Sequence, residues 1–118
     1  MEVDARLQRL LAWLISHPTV IKTNSPSLGI GCRVYDDGGW WIKFALDIAD
    51  PDAWTTIQVL AYALNDPNIT AEFRTTFKPV SPPPYLNGGP DDYLSWVIEG
   101  EDYRFADRVA KLLHDEFD

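Results

Sequence analysis

The sequence predicts an α+β domain, an antiparallel sheet of four to five strands carrying three helices, in the order α-β-β-α-β-β-α. Three observations carry that prediction. Apolar residues recur at helical spacing in three separate segments, one near each end and one in the middle of the chain. Four other segments alternate apolar and polar residues with a period of two, as half-exposed antiparallel strands do. Two of them are joined by Asp36-Asp37-Gly38-Gly39, where glycine supplies the positive φ of a tight hairpin. Helices and hairpins that alternate in this way pack as a sheet with helices laid on it.

The first helix spans residues 3–16. Val3, Leu7, Leu10, Leu11, Leu14 and Ile15 form its apolar stripe, with Arg6, Gln8 and Arg9 opposite. His17-Pro18 ends it, because a residue before proline is pushed out of the α region. Residues 19–24 fit a short edge strand or a loop equally well, and Asn24-Ser25-Pro26-Ser27 is a turn. The hairpin strands follow at 28–35 and 40–48. In the second, Trp40, Ile42, Phe44, Leu46 and Ile48 share a core face, and Trp41, Lys43, Ala45 and Asp47 share a mixed one.

Asp50 caps the second helix with Pro51 in its first turn. Its expected buried stripe is Trp54, Ile57, Leu60, Ala61 and Leu64, and Asn65-Asp66-Pro67 stops it. Residues 69–78 alternate without a fault, with Phe73, Thr75 and Phe77 on one side. Their expected partner is 93–99, with Leu94, Trp96 and Ile98 facing one way. A last helix, from about 102 to 116, presents Phe105, Val109, Leu112 and Leu113.

Composition narrows the function. The chain has 118 residues, 46% of them hydrophobic, which suits one domain with one core. Its formal net charge of −8 repels phosphate backbones, so nucleic acid is an unsuitable partner. A single cysteine, Cys32, excludes an internal disulfide or a cysteine-built zinc site, and its alternation with Ile30 and Val34 reads as a core thiol. No apolar run approaches the ~20 residues of a membrane span, and no secretory signal opens the chain, so a cytoplasmic protein is expected.

Catalytic signals are weak. His17 and His114 lie in or beside helix ends, where the dipole favours them without any catalytic role. No serine sits in a nucleophile elbow, and Gly29-Ile30-Gly31 completes no nucleotide-binding fingerprint. Asp47, Asp50 and Asp52 offer hard oxygen ligands, but a strand end, a cap and a first-turn acid explain them more simply. No enzyme, no metal and no cofactor is therefore expected.

Features of a binding protein are stronger. Residues 91–118 hold nine acids (Asp91, Asp92, Glu99, Glu101, Asp102, Asp107, Asp115, Glu116, Asp118) against three basic residues, and so six of the eight excess negative charges. Such a surface either keeps the chain soluble or steers a basic partner. The fourteen residues Pro79–Asp92 carry five prolines, which stiffen the segment before any partner arrives. At its centre Tyr85 and Leu86 are either an interface anchor or a lid folded over the sheet. Trp40 and Trp41 point to opposite faces, so either the second face is covered or Trp41 is partly exposed. Trp13 and Trp54 are expected in or at the edge of the core.

The segment Phe77-Lys78-Pro79-Val80-Ser81-Pro82-Pro83-Pro84-Tyr85-Leu86-Asn87-Gly88-Gly89-Pro90, followed by Tyr93-Leu94-Ser95-Trp96-Val97-Ile98-Glu99, covers about a fifth of the chain. It is similar to segments of the immunity proteins of bacterial polymorphic toxin systems, including contact-dependent growth inhibition. The resemblance implies an antitoxin that binds one cognate toxin domain, often a nuclease, and occludes its active site. Carried onto this chain, it assigns charge to Asp91, Asp92, Glu99, Glu101 and Asp102, and anchoring to Trp41, Tyr85 and Leu86. The partner is then a basic protein, with no nucleic acid or membrane involved, and a monomer is expected. A class I type III secretion chaperone-like dimer, which binds an effector, is the alternative; it matches closely only if residues 19–24 form a strand. A metal-dependent enzyme is the third.

Overall fold

A computed structural model describes residues 5–21, 29–65, 75–80 and 93–117. Within them three helices and a four-stranded antiparallel sheet follow one another as the sequence orders them. A single 3-10 turn, Ala5–Leu7, leads into α1 (Gln8–Ile15). The hairpin strands are β1 (Gly31–Val34) and β2 (Trp40–Asp47). Helix α2 (Asp52–Leu64) is followed by β3 (Thr75–Pro79), β4 (Tyr93–Gly100) and α3 (Arg104–Phe117).

The sheet order is β1-β2-β4-β3, with every neighbouring pair antiparallel. Strand β2 pairs with β4 along its whole length, Trp40 opposite Gly100 and Asp47 opposite Tyr93. Beside β2, β1 occupies only the first half of the edge. Residues 19–21 take up the second half. Val20 bridges Leu46, Ile21 N–H donates to the Ala45 carbonyl (2.9 Å), and Asp47 N–H donates to the Thr19 carbonyl (2.9 Å). The two readings of 19–24 thus both hold in part: an isolated bridge forms, and residues 22–24 lie outside the described residues.

Register decides which face is core. Directly opposed residues share a face, so Cys32–Ile42–Ile98–Phe77 and Trp96–Phe44 line one side. The buried side chains of all three helices join that face in one cluster, with Trp13, Trp40, Phe44 and Leu60 among its fully enclosed members. Cys32 is partly buried and packs against this cluster. Phe77 stacks on Trp96 with ring centroids 4.8 Å apart, which ties the β3 edge into the core.

Two helical phases differ from the expected ones. In α2 the buried residues are Ala53, Thr56, Leu60, Ala63 and Leu64, and Trp54 is half exposed. Ala53, Thr56 and Ala63 take the buried positions, the Thr56 hydroxyl lying 3.3 Å from that of Thr19, and the bulkier Trp54 is rotated outward. In α1 the core takes Trp13, and Ile15 is exposed. Val3 and residues 66–74 lie outside the described residues. Among the described residues no helix is long and apolar enough to cross a membrane.

Candidate partner-binding face

The second face of the sheet is built by cross-strand rows. Arg33, Trp41, Glu99 and Thr76 form one row, and Gly31, Lys43, Val97 and Lys78 the next. Among the described residues, none of these row residues belongs to the helix-covered core cluster. Ala45, Ser95 and Val97 are nonetheless closed to solvent at its centre, so the face is polar at its rim and dry in its middle.

Trp41 sits half-buried on this face, and Trp40 is in the core on the other. Its indole lies over Gly31, where a Cβ would stand 3.5 Å from the ring. The indole N–H donates to the Tyr35 hydroxyl at 3.1 Å. The Arg33 guanidinium in turn stands over the Tyr35 ring, 4.7 Å from its centroid. Three side chains of one hairpin therefore hold each other in place, and Tyr35 remains exposed. Rigid aromatic groups that keep a polar tip are well suited to protein contacts, because little rotamer entropy remains to be lost.

Acids border this aromatic group. Glu99 stands opposite Trp41 across β2 and β4. It pairs with Lys78 on β3 at 2.9 Å, and both side chains are largely in solvent. A pair that exposed contributes little to stability. Lys43, half-buried in the next row, has its ammonium pulled below the usual lysine range by burial.

The end of the sheet brings in acids that lie far apart in the chain. The hairpin turn is closed by Tyr35 N–H donating to the Gly39 carbonyl (2.7 Å) and Gly38 N–H to the Tyr35 carbonyl (3.0 Å). Gly38 is the one described residue with positive φ, at 95°. Its carbonyl accepts Tyr103 N–H at 2.8 Å, so the turn is fastened to the connection between β4 and α3. The turn that carries Asp36 and Asp37 thereby lies against the Glu101-Asp102 backbone, where a Cβ on Gly38 would stand 3.6 Å from the Glu101 carbonyl oxygen. The sequence reading placed the acidic surface in the last 28 residues and missed Asp36-Asp37, whose only visible signal was their place in the hairpin turn.

Asp102 has a different environment from the other acids. Its residue is buried, and its carboxylate accepts the Arg104 N–H (2.9 Å) at the start of α3. The same carboxylate receives the Arg104 guanidinium through two nitrogens. These hydrogen bonds hold its carboxyl below the usual carboxylate range. The Asp102 carbonyl accepts the Trp40 indole N–H at 3.1 Å. Asp102 is therefore a cap and a junction, its charge already matched by Arg104, while Glu101 and Asp36 are exposed. Among the residues expected at an interface, Trp41 and Glu99 come together, Glu101 borders them, and Asp102 is occupied within the fold. Tyr85, Leu86, Asp91 and Asp92 lie outside the described residues.

The other acid group acts locally. Asp47 Oδ1 accepts Ala49 N–H at 3.1 Å, and Asp50 Oδ1 accepts Asp52 N–H at 3.0 Å ahead of α2. Both carboxylates thus serve a turn and a helix start. Among the described residues no three His, Cys, Asp or Glu side chains are grouped to hold a metal ion. No family model matches the chain, and neither the curated proteins nor the solved structures include a significant match.

Proposed function

We propose that the protein is an immunity protein that binds a basic toxin domain and occludes its active site. One observation carries the reading: the β1–β2 turn is fastened to the β4–α3 connection, which gathers Asp36, Asp37 and Glu101 beside the braced Trp41–Tyr35–Arg33 group. An acidic rim attracts a basic cleft over a distance and speeds encounter, while half-buried aromatics hold the complex once it forms. The resemblance of residues 77–99 to immunity proteins agrees with this and supplies the partner class. The site is a docking surface, and the reading places no chemistry on it.

The test is growth rescue. The reading requires a basic toxin domain encoded beside this gene, and that domain is expressed with the wild-type chain and then with the Asp36→Lys/Glu101→Lys variant. Both side chains are exposed and have no hydrogen bond or ion pair among the described residues, so the fold is expected to survive the change. Rescue by the wild type and its loss in the variant are the expected results. Equal rescue by both overturns the acidic-surface mechanism.

A chaperone-like dimer is the second reading, favoured by the Val20–Leu46 bridge that adds a short segment to the edge of β2 in line with β1. Light scattering separates the two. A dimer at micromolar concentration supports the chaperone, and a monomer supports the immunity protein.

A further inference from the structure

On the second face of the sheet two neighbouring donors are held in place with nothing to accept from them. The Trp41 indole nitrogen can only donate, so in its contact with Tyr35 the hydroxyl oxygen accepts and the Tyr35 O–H proton is directed elsewhere. A hydroxyl that already accepts a hydrogen bond is polarised into a better donor. Arg33 lies over the same tyrosine ring, its guanidinium carbon 4.7 Å from the centroid. Both residues are exposed, and among the described residues neither the Tyr35 O–H nor the Arg33 guanidinium meets an acceptor.

The charge around them is the reverse of that in the chain as a whole. The rows that contain Trp41 and Lys43 hold three cations, Arg33, Lys43 and Lys78, against one acid, Glu99. Glu99 stands across Trp41 from Arg33 and pairs with Lys78 at 2.9 Å. In a chain of net charge −8, the face behind the acidic turn is therefore locally basic.

We propose that Arg33 and Tyr35 form a receptor for one carboxylate side chain, an aspartate or glutamate of the protein partner. This rests on the docking face proposed above and names what the partner presents to it. Both unmet groups are donors, so the occupant is an acceptor, and the Arg33 charge makes it an anion. A carboxylate offers two coplanar oxygens, one for the guanidinium and one for the hydroxyl. The ring stack and the Trp41 hydrogen bond fix both donors before the partner arrives, so little rotamer entropy remains to be lost. A phosphate, with its higher charge, is repelled more strongly by the acidic chain. The pair also sets selectivity. The acidic turn attracts any basic surface, whereas Arg33 repels a uniformly basic one, so the favoured partner is a basic domain with an acid placed opposite Arg33.

The probe is N-acetyl-L-glutamic acid α-amide, titrated at constant ionic strength into uniformly ¹⁵N-labelled protein while the Trp41 indole N–H signal is followed. A Trp41→Phe variant assigns that signal among the five tryptophans. A saturable shift with a Kd on the order of 10 mM is expected, the range of one charge-assisted contact. Arg33→Gln is expected to abolish it. Tyr35→Phe, which keeps the ring under the guanidinium, is expected to weaken it about two- to tenfold. The neutral N-acetyl-L-glutamine amide is expected to give no saturable shift. No saturation with the glutamate probe, an equal affinity in Arg33→Gln, or equal binding of the glutamine probe overturns the proposal. Tighter binding of inorganic phosphate overturns the carboxylate assignment. The titration contains no toxin domain, so the two readings fail separately. Lost rescue with an intact titration removes the toxin reading alone, and a failed titration with intact rescue removes the carboxylate receptor alone.

Discussion

Gly100 has no room for a side chain. A Cβ there would overlap the indole of Trp40, its cross-strand partner on the core face. Only a glycine at the end of β4 lets that ring reach across and donate its N–H to the Asp102 carbonyl. Gly100→Ala is therefore expected to destabilise by about 1–3 kcal/mol through overpacking, measured by urea unfolding. Two residues on, Asp102 predicts a pH effect whose sign follows from its environment. Its folded pKa lies below the ordinary carboxylate value, because Arg104 stabilises the ionised form. The contribution is complete above the ordinary range, near pH 4, and is lost as pH falls through the lower folded value. Asp102→Asn keeps an oxygen for the helix start but removes the charge. The variant is expected to lose less stability than wild type between pH 6 and pH 3. An equal loss in the two would assign the effect elsewhere.

Elements were more legible than their orientations. Strand alternation, the Asp-Asp-Gly-Gly turn and the proline stops located every described helix and strand, because these signals act between near neighbours in the chain. The phase of α2 was not legible. The expected stripe and the observed one share Leu60 and Leu64, and they diverge at Trp54 against Ala53, Thr56 and Ala63. Hydrophobic size favours Trp54, whereas the packed helix turns its small residues inward, Thr56 against Thr19, and only the packed structure decides between them. This predicts an inversion of the usual order. Trp54→Ala is expected to cost under about 1 kcal/mol, and Leu60→Ala about 2–5 kcal/mol, compared by chemical denaturation. Pairing at 19–21 was equally hidden, since it depends on β1 being too short to cover the edge of β2.

Across the whole molecule, the sheet has two unlike faces. One carries the three helices and the core, and the other carries Trp41, Tyr35 and Arg33 beside the acidic turn. The site was half legible for the same reason as the fold. Trp41 was identified by its alternation with Trp40, and Glu99 and Glu101 by their local charge. Asp36 and Asp37 join them only through the contact of the turn with Tyr103, and Asp102 leaves the group because Arg104 engages it. A surface of exposed acids acts mainly on association rate, so complex formation with a basic partner is expected to slow steeply as salt rises, while dissociation changes little. The most direct measurement is the affinity of the wild-type chain and of Asp36→Lys/Glu101→Lys for the toxin domain that the proposed function requires, at one ionic strength. The account predicts at least about a tenfold weaker complex for the variant, carried by a slower association rate. Equal affinities and equal association rates would contradict it.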